Sequence, residues 1–312
     1  MAKKLVITGA LGHIGSQFIR SIKPGDYESV VLIDNLSTQR YCSLMDLPAG
    51  IKFRFFDGDV TQADLDRHVQ GAEAAIHLAA VTNAEASVHI APEVERVNFG
   101  GTERLADACL RQGCPLIFLS TTSVYGSQSQ VVDENCTREE LKPQSPYAES
   151  KLRAEEHLQA LGKSKGLRFV ICRFGTIFGW SIGMRFHTAI NKFCWQAVMR
   201  QPVTVWKTAL NQKRPYLDLG DGVRALNFLI GKKHFDQQVY NVLSANATVG
   251  EIIDVLRVHV PDLEVKMVDS PIMNQLSYHV SNAKFEKLGF RFQGNLKRGI
   301  SETLQHLRGL SG

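Results

Sequence analysis

The sequence lacks several features that mark particular classes of protein, and each absence excludes one. No stretch approaches the roughly 18 uninterrupted apolar residues that a membrane-spanning helix needs. The six cysteines form no C-x-x-C pair and no zinc spacing, which predicts reduced, mostly buried thiols of a cytoplasmic protein and no metal site. The lack of a long basic run argues against nucleic-acid binding. The net charge of +5 suits an anionic small-molecule substrate.

Through roughly the first 175 residues, short apolar runs alternate with amphipathic segments. The runs lack strict alternation, as expected of strands buried on both faces of a parallel sheet; they lie at 4–8, 30–33, 51–56, 74–77, 116–119 and 168–172. Helical patterns separate them at 12–21, 61–69, 92–111 and 146–161. This order predicts an α/β fold with a Rossmann-type doubly wound parallel sheet.

After residue 175 the pattern loosens. It predicts helices at 186–200 and 221–231, strands at 202–206, 216–219 and 239–242, and a helical tail at 250–258, 283–288 and 298–307. We therefore expect a cofactor-binding Rossmann domain at 1–175, to which 214–244 return. A smaller C-terminal substrate-binding lobe would comprise 176–213 and 245–312.

A glycine-rich segment, Thr8-Gly9-Ala10-Leu11-Gly12-His13-Ile14-Gly15, directly follows the first strand and opens the first helix. Small residues let the backbone pass close to a pyrophosphate, and the helix N-terminus offers free N–H groups. Taken alone, the glycines fit a tight strand–helix turn equally well.

Asp34 ends the second strand about 20 residues further on, where a carboxylate accepts both hydroxyls of an adenosine ribose and repels a 2′-phosphate. The same residue is equally suited to start an Asx turn in the segment Asp34-Asn35-Leu36-Ser37. With both features in register, the sequence predicts NAD as cofactor.

Tyr147 and Lys151 lie four residues apart on a predicted helix and therefore share one face. A lysine cation and an oxidised nicotinamide would both stabilise a phenolate, bringing the tyrosine pKa toward the working range of an acid–base catalyst. The pair alone is compatible with an ordinary helix surface. Its position after the 116–119 strand, whose end Ser120-Thr121-Thr122-Ser123 lies at the sheet's ligand-binding edge, favours catalysis. These hydroxyls also suit a turn rich in side chain–backbone bonds, which leaves open which of them acts.

These residues resemble the extended short-chain dehydrogenase/reductase family, in its NAD-dependent epimerase/dehydratase branch acting on nucleotide-activated sugars. The resemblance runs nearly end to end, through Thr8-Gly9-x-x-Gly12-x-Ile14-Gly15, Asp34-Asn35-Leu36-Ser37, Asp57-Gly58-Asp59-Val60, His77-Leu78-Ala79-Ala80, Asn98-x-x-Gly101-Thr102, Ser120 to Gly126 and Pro146-Tyr147-x-x-x-Lys151. Counting back from Val124-Tyr125-Gly126 assigns the catalytic hydroxyl to Thr121.

The resemblance implies a mechanism and a set of contacts. Tyr147 would deprotonate a sugar hydroxyl, usually at C4, Thr121 would orient it, and Lys151 would hold the nicotinamide ribose. Implied cofactor-binding residues are Gly9, Gly12, His13, Ile14, Gly15, Asp34, Asn35, Asp59, Val60, Leu78, Ala79, Ala80, Asn98, Tyr147, Lys151 and Phe174. Implied substrate-binding residues are Thr122, Thr176, Arg185, His187, Asn191 and Arg214.

Departures from the family pattern bear on the substrate. Thr176 stands where many members place an asparagine, and a second diphosphate-binding arginine is absent around 269–278. Arg185 suits a phosphate contact or a solvated helix charge, and His187 a second acid or a helix-surface histidine. Dehydratases and decarboxylases of the family carry acidic residues just after the catalytic hydroxyl, where this chain has Thr122 and Ser123.

The sequence thus favours a nucleotide-sugar 4-epimerase that works through a transient 4-keto sugar. The alternatives are a nucleotide-sugar 4-dehydrogenase or keto-sugar reductase/epimerase and, from another class, a non-catalytic NAD-sensing protein. Expected partners are a nucleotide-sugar substrate and a second copy of the chain in a homodimer, with no nucleic acid and no membrane.

Overall fold

Seven parallel strands form the central sheet in a computed structural model, which describes residues 3–126, 131–269 and 278–309. The strands of the protein are β1 (Lys4–Thr8), β2 (Ser29–Asp34), β3 (Lys52–Asp57), β4 (Ala74–His77), β5 (Leu116–Thr121), β6 (Val131–Val132), β7 (Phe169–Phe174), β8 (Thr176–Phe178), β9 (Val203–Trp206), β10 (Lys213–Asp218), β11 (Val239–Val242), β12 (Ala245–Thr248), β13 (Val265–Val268) and β14 (His279–Val280). The central sheet has the order β11-β7-β5-β4-β1-β2-β3. Its order reverses between β1 and β4, the kind of position at which open α/β sheets bind ligands.

The helices cover both faces of this sheet and the smaller lobe. They are α1 (His13–Ser21), α2 (Leu65–Val69), α3 (Ala91–Val94), α4 (Gly101–Gln112), α5 (Pro146–Lys165), α6 (Ala189–Val198), α7 (Leu219–Gly231), α8 (Val249–His259), α9 (Ala283–Glu286) and α10 (Leu296–Leu307). Alternate residues of β1 enter different cores: Leu5 and Ile7 pack with α1 and α7, whereas Val6 packs with α4 and α5. The predicted doubly wound Rossmann-type sheet is thereby confirmed.

Three predictions of local structure need correction. The strand β3 is not buried on both faces, because it lies at the sheet edge and its residues are half-buried or exposed. The helix predicted from residue 61 begins only at Leu65, since the Asp64 side chain caps it by accepting from the Arg67 N–H at 3.3 Å. The helix predicted at 92–111 contains a π-helical stretch, Glu95–Gly100, between α3 and α4.

The smaller lobe has its own core between α6, α8 and α10 and a three-stranded sheet of order β12-β10-β8. Of the segment expected to return to the Rossmann domain, β11 joins the central sheet beside β7 and α7 packs in the same core as α1. The strand β10 instead pairs with β8 and β12 in the small sheet. No helix within the described ranges is long and apolar enough to cross a membrane.

Candidate active site

The phosphate loop is shaped by close backbone contacts. Gly9 has a φ of +64°, and a Cβ there would lie 2.4 Å from the backbone nitrogen of Ala79. A Cβ on Gly15 would lie 2.4 Å from the carbonyl oxygen of Ala10. Gly12, the residue before α1, is less crowded, since a Cβ there would meet only the Gly9 oxygen at 3.3 Å, and no side chain caps the helix. The loop therefore leaves the N-terminus of α1 available to an anion, as a pyrophosphate requires.

His13 fastens this loop to the smaller lobe. Its Nε2 lies 2.8 Å from the carbonyl oxygen of Gly179. Because a carbonyl oxygen can only accept a hydrogen bond, Nε2 carries the proton. Nδ1 is then a buried acceptor without a hydrogen-bond partner among the described residues. Burial, and secondly the Arg185 charge, lower the pKa of His13 to about 3. The imidazole is therefore neutral at pH 7 and adds no positive charge to the predicted phosphate site.

Asp34 starts the Asx turn that its sequence position suggested, and its ribose contact stays a prediction. One carboxylate oxygen accepts from the Leu36 N–H at 3.0 Å, which is the Asx turn, and the other accepts from the Leu11 N–H at 3.0 Å. The carboxylate is half-buried at the end of β2 beside the phosphate loop, the place predicted for a ribose contact. Asn35, exposed next to it, donates to the Asp59 carboxylate at 3.4 Å.

Backbone and side-chain hydrogen bonds hold the segment after β4 close to the phosphate loop. Leu78 donates its N–H to the Thr8 carbonyl oxygen at 2.9 Å. The Asn98 side chain, fully buried, accepts from the Val81 N–H at 2.8 Å and donates to the Val81 oxygen at 3.0 Å and the Ser150 hydroxyl at 3.1 Å. Because its amide is engaged with the protein, Asn98 positions this segment against α5.

The other implied cofactor residues differ in how far their side chains reach the cleft. Ile14 is half-buried against the core of α1, while Val60 and Phe174 are buried side chains, 4% and 5% exposed. Val60 packs so closely on Gly101 that a Cβ on that glycine would lie 2.7 Å from the valine. If Val60 and Phe174 contact the cofactor, they would therefore do so through their backbone atoms.

Thr121 and Tyr147 come together as predicted. Thr121 is the last residue of β5, and its hydroxyl accepts from the Ser123 N–H at 3.1 Å and lies 3.1 Å from the Ser123 hydroxyl. Ser145 caps α5 by accepting from the Ala148 N–H at 3.2 Å, which places Tyr147 in the first turn of the helix. The Tyr147 phenol hydrogen-bonds to Thr121.

Charges around the phenol differ from the sequence expectation. Burial raises the pKa of Tyr147, and the Arg185 guanidinium and the Thr121 hydrogen bond partly offset this rise. Lys151, predicted to be the tuning cation, is 3% exposed, donates to the Leu119 oxygen at 2.8 Å and lies 4.7 Å from the centre of the Phe118 ring. Burial lowers the pKa of Lys151 to about 7. Arg185 is thus the cation that acts on the phenol in this structure.

The half-buried Arg185 side chain has no counter-charge among the described residues. Its Nε is buried and has no hydrogen-bond partner, and no carboxylate of the described ranges forms an ion pair with it. The chain around it is fixed by Asn191, whose Nδ2 donates to the Arg185 carbonyl oxygen at 3.0 Å and whose Oδ1 accepts from the Gly179 N–H at 3.2 Å. Asn191 is completely buried, so the structure gives it a loop-positioning role in place of the implied substrate contact.

The remaining implied substrate residues lie on three elements. Thr122 is buried and donates to the Phe174 oxygen at 3.4 Å. Thr176 begins β8, and Arg214 lies half-buried on β10. His187 is an exposed residue, but the surrounding protein partly encloses its ring. This partial burial and the Arg185 charge lower the pKa of His187 to about 4, so the imidazole is neutral at pH 7.

Sequence reasoning missed Tyr278. Its side chain is 8% exposed, and its phenol hydrogen-bonds to the hydroxyls of Thr122 and Ser123 near the Arg214 charge. No motif marks it. The region 270–277, where a second arginine was sought, lies outside the described residues. Nowhere in the described ranges do three His, Cys, Asp or Glu side chains cluster as metal ligands would.

Comparison with known proteins gives the chain its relatives. Residues 5–242 match the model of the family described as NAD dependent epimerase/dehydratase. An uncharacterized UDP-glucose epimerase of Bacillus subtilis is 28% identical over 264 residues, covering 81% of each chain. A trifunctional UDP-glucose 4,6-dehydratase/3,5-epimerase/reductase of Arabidopsis thaliana is 29% identical over 322 residues, 97% of this chain and 46% of the relative, so the chain spans about half of the plant protein. The solved structure of MoeE5 in complex with UDP-glucuronic acid and NAD has a TM-score of 0.84 and 26% identity, covering 98% of this chain and 100% of that one.

Proposed function

The chain belongs to the NAD-dependent epimerase/dehydratase family of enzymes acting on nucleotide sugars, and from that premise we propose that it inverts the C4 configuration of a nucleotide-activated sugar. The observation that carries this proposal is the contact between the Tyr147 phenol and the Thr121 hydroxyl at the end of β5. An acid–base group and a hydrogen-bonding hydroxyl meet there at the sheet edge where the cofactor loop also ends.

The residues support a proton transfer at C4. Tyr147 takes the proton of the C4 hydroxyl while Thr121 accepts or donates a hydrogen bond to the same oxygen and fixes its position. NAD, when bound, supplies the group that takes a hydride from C4 and gives it back. The uncrowded Gly12 and the uncapped N-terminus of α1 fit its pyrophosphate, and Asp34 fits its adenosine ribose.

The residues after Thr121 argue against elimination. Thr122 and Ser123 carry hydroxyls where dehydratases of the family carry acids, and the Thr122 hydroxyl is engaged with the Phe174 oxygen. Without a carboxyl group near the sugar, no side chain of this segment protonates a leaving hydroxyl. We therefore favour epimerisation over dehydration.

Arg185 supports a more specific substrate class. The buried Nε of Arg185 has no hydrogen-bond partner among the described residues, and an unsatisfied donor is costly unless a ligand completes it. Arg214 on β10 is the candidate for the diphosphate, while Arg185 acts on the Tyr147 phenol and so lies toward the reacting end of the sugar. We infer that the sugar carries a carboxylate, as UDP-glucuronic acid does.

The test is a product analysis without added cofactor. The purified enzyme is incubated separately with UDP-glucuronic acid and UDP-glucose, products are identified by proton NMR, and NAD retained after gel filtration is measured by mass spectrometry. We expect the C4 epimer, no net reduction of NAD, and a higher kcat/KM for the uronic acid. A 4-keto-6-deoxy sugar would favour the dehydratase instead. Loss of NAD on gel filtration, with no turnover until NAD or NADH is added back and is then consumed in proportion to the product, would favour the dehydrogenase/reductase.

Variants separate the role of Arg185 from the reaction itself. Arg185→Met should lower kcat/KM for both sugars, because the cation beside the Tyr147 phenol is lost. The loss for UDP-glucuronic acid should be at least about tenfold larger than the loss for UDP-glucose, since only the uronic acid also loses a charge-assisted bidentate contact. Lys192→Met, which removes one exposed positive charge from α6, is the matched control and should change neither. Equal losses on both sugars would contradict a carboxylate contact and leave Arg185 with the Tyr147 phenol, the diphosphate or the cofactor.

A further inference from the structure

A buried ion pair that the proposed reaction does not use lies along the catalytic helix. The Arg173 guanidinium donates to the Glu155 carboxylate from Nε at 3.1 Å to each oxygen and from Nη2 at 2.7 Å. The two side chains are only 5% and 2% exposed. The Ser120 hydroxyl donates to the same carboxylate in a short hydrogen bond.

This pair joins β7 to the two elements that carry the catalytic groups, α5 and β5. Glu155 lies on α5 one turn after Lys151 and two turns after Tyr147, so the three side chains share one helix face. Ser120 lies on β5 directly before Thr121 and is the register partner of Arg173 on β7. Along this face Tyr147 meets Thr121, Lys151 meets the Leu119 oxygen and Glu155 meets Ser120.

We propose that Glu155 is a positioning residue of the active site, which fixes the Ser120–Thr121 end of β5 against α5 and provides the counter-charge that keeps Lys151 protonated. The proposal rests on the proposed function only for its effect on turnover. The contacts themselves do not depend on which sugar reacts.

Electrostatics explains why Lys151 needs such a partner. Burial lowers the pKa of Lys151 to about 7 even though the Glu155 charge opposes this drop. The other titratable groups that bear on it offer no negative charge at neutral pH. Tyr147 is a phenol with a raised pKa, His77 on β4 is neutral because burial lowers its pKa to about 3, and Arg173 is a cation. Removing the Glu155 charge therefore lowers the Lys151 pKa further.

The direct test is an NMR titration of the lysine side chains in protein labelled with carbon-13 lysine, as purified and without added sugar. The Lys151 signal is identified by its loss in Lys151→Met. Glu155→Gln, which keeps the size and an acceptor oxygen for Ser120, should shift the Lys151 titration about one pH unit lower. Because the single variant leaves Arg173 unpaired and is prone to unfold, Glu155→Gln/Arg173→Gln is the second variant and should shift it in the same direction.

Turnover gives the second measurement. Glu155→Gln should move the alkaline limb of the kcat–pH profile to lower pH, since Lys151 loses its proton earlier. Ser120→Ala removes the hydroxyl contact and keeps the charge, so it should lower kcat several-fold with little change in KM and leave the alkaline limb in place. An unchanged Lys151 titration in a folded variant that lacks the Glu155 charge would overturn the proposal. Absence of epimerisation with an intact shift in that titration would overturn only the proposed function.

Discussion

The two walls of the cleft are built by opposite means. On the cofactor side, close backbone packing at Gly9 and Gly15 determines the shape of the phosphate loop. The imidazole of His13 in this loop is neutral at pH 7. On the other side, α5 and β5 meet through buried charges, including Lys151 and the Glu155–Arg173 pair. A backbone cradle suits a cofactor whose phosphates need only N–H groups and space. Charges shielded from water suit a proton transfer, because burial is what brings a lysine pKa near neutrality.

Substitutions in the two walls should therefore differ in their effects on stability and activity. Substitution at the crowded glycines Gly9 and Gly15 acts first on folding, whereas substitution among the buried charges is able to increase stability while removing activity. The following variants test that contrast.

The largest expected effect is on the loop. Gly9→Ala places a Cβ 2.4 Å from the Ala79 nitrogen at a φ of +64°, so we expect a loss of about 2–5 kcal/mol in the free energy of unfolding. Gly12→Ala, whose Cβ meets only one oxygen at 3.3 Å, should fold with nearly unchanged stability and bind NAD at least about tenfold more weakly. Urea unfolding and calorimetric NAD titration measure the two effects.

The contrast between these two glycines is the informative part. If Gly12→Ala lost as much stability as Gly9→Ala, the openness of the loop at Gly12 would have no functional meaning. If Gly12→Ala bound NAD normally, the pyrophosphate would not approach the backbone there.

A smaller effect of opposite sign is expected on the charged wall. Lys151→Met removes a buried ammonium group while keeping the length of the side chain, so the free energy of unfolding should rise by about 1–2 kcal/mol while epimerisation is lost. Lys192→Met, at an exposed position of α6, should leave stability within about 0.5 kcal/mol.

The gain in stability from Lys151→Met should depend on pH, because Lys151 titrates differently in the native and the unfolded protein. Lys151 has a native pKa of about 7 against an ordinary 10.5, so between these values the unfolded chain binds more protons than the native one. Lys151 therefore destabilises the native protein fully below pH 7, and this penalty declines as the pH rises toward 10.5. The stability advantage of Lys151→Met should shrink over the same interval. A constant advantage would mean that Lys151 is not a buried titrating group.

Much of the cofactor wall followed from the sequence, because local geometry dictates it. A strand, a glycine loop and a helix must follow one another in the chain, and Asp34 comes at a fixed distance after them. The fold, the NAD dependence and the family are confirmed. The predicted roles of individual site residues stay predictions until variants are measured.

The charged wall and the smaller lobe were less predictable, because distant segments build them. Nothing local indicates that Arg185 acts on the Tyr147 phenol or that Tyr278 contacts Ser123. The sequence also missed β12, β13 and the pairing of β10 in a separate sheet, since short strands without alternation are indistinguishable from loops until their partners are known.

The central claim, that the Tyr147 phenol is the acid–base group, is tested most directly by Tyr147→Phe in a stopped-flow measurement of transient NAD reduction with UDP-glucuronic acid. The account predicts a fall of about a thousandfold in the rate with NAD binding and folding intact, while Tyr41→Phe, at a tyrosine that is 55% exposed, behaves as the parent enzyme. A Tyr147→Phe enzyme that reduced its NAD within about tenfold of the parent rate would contradict it.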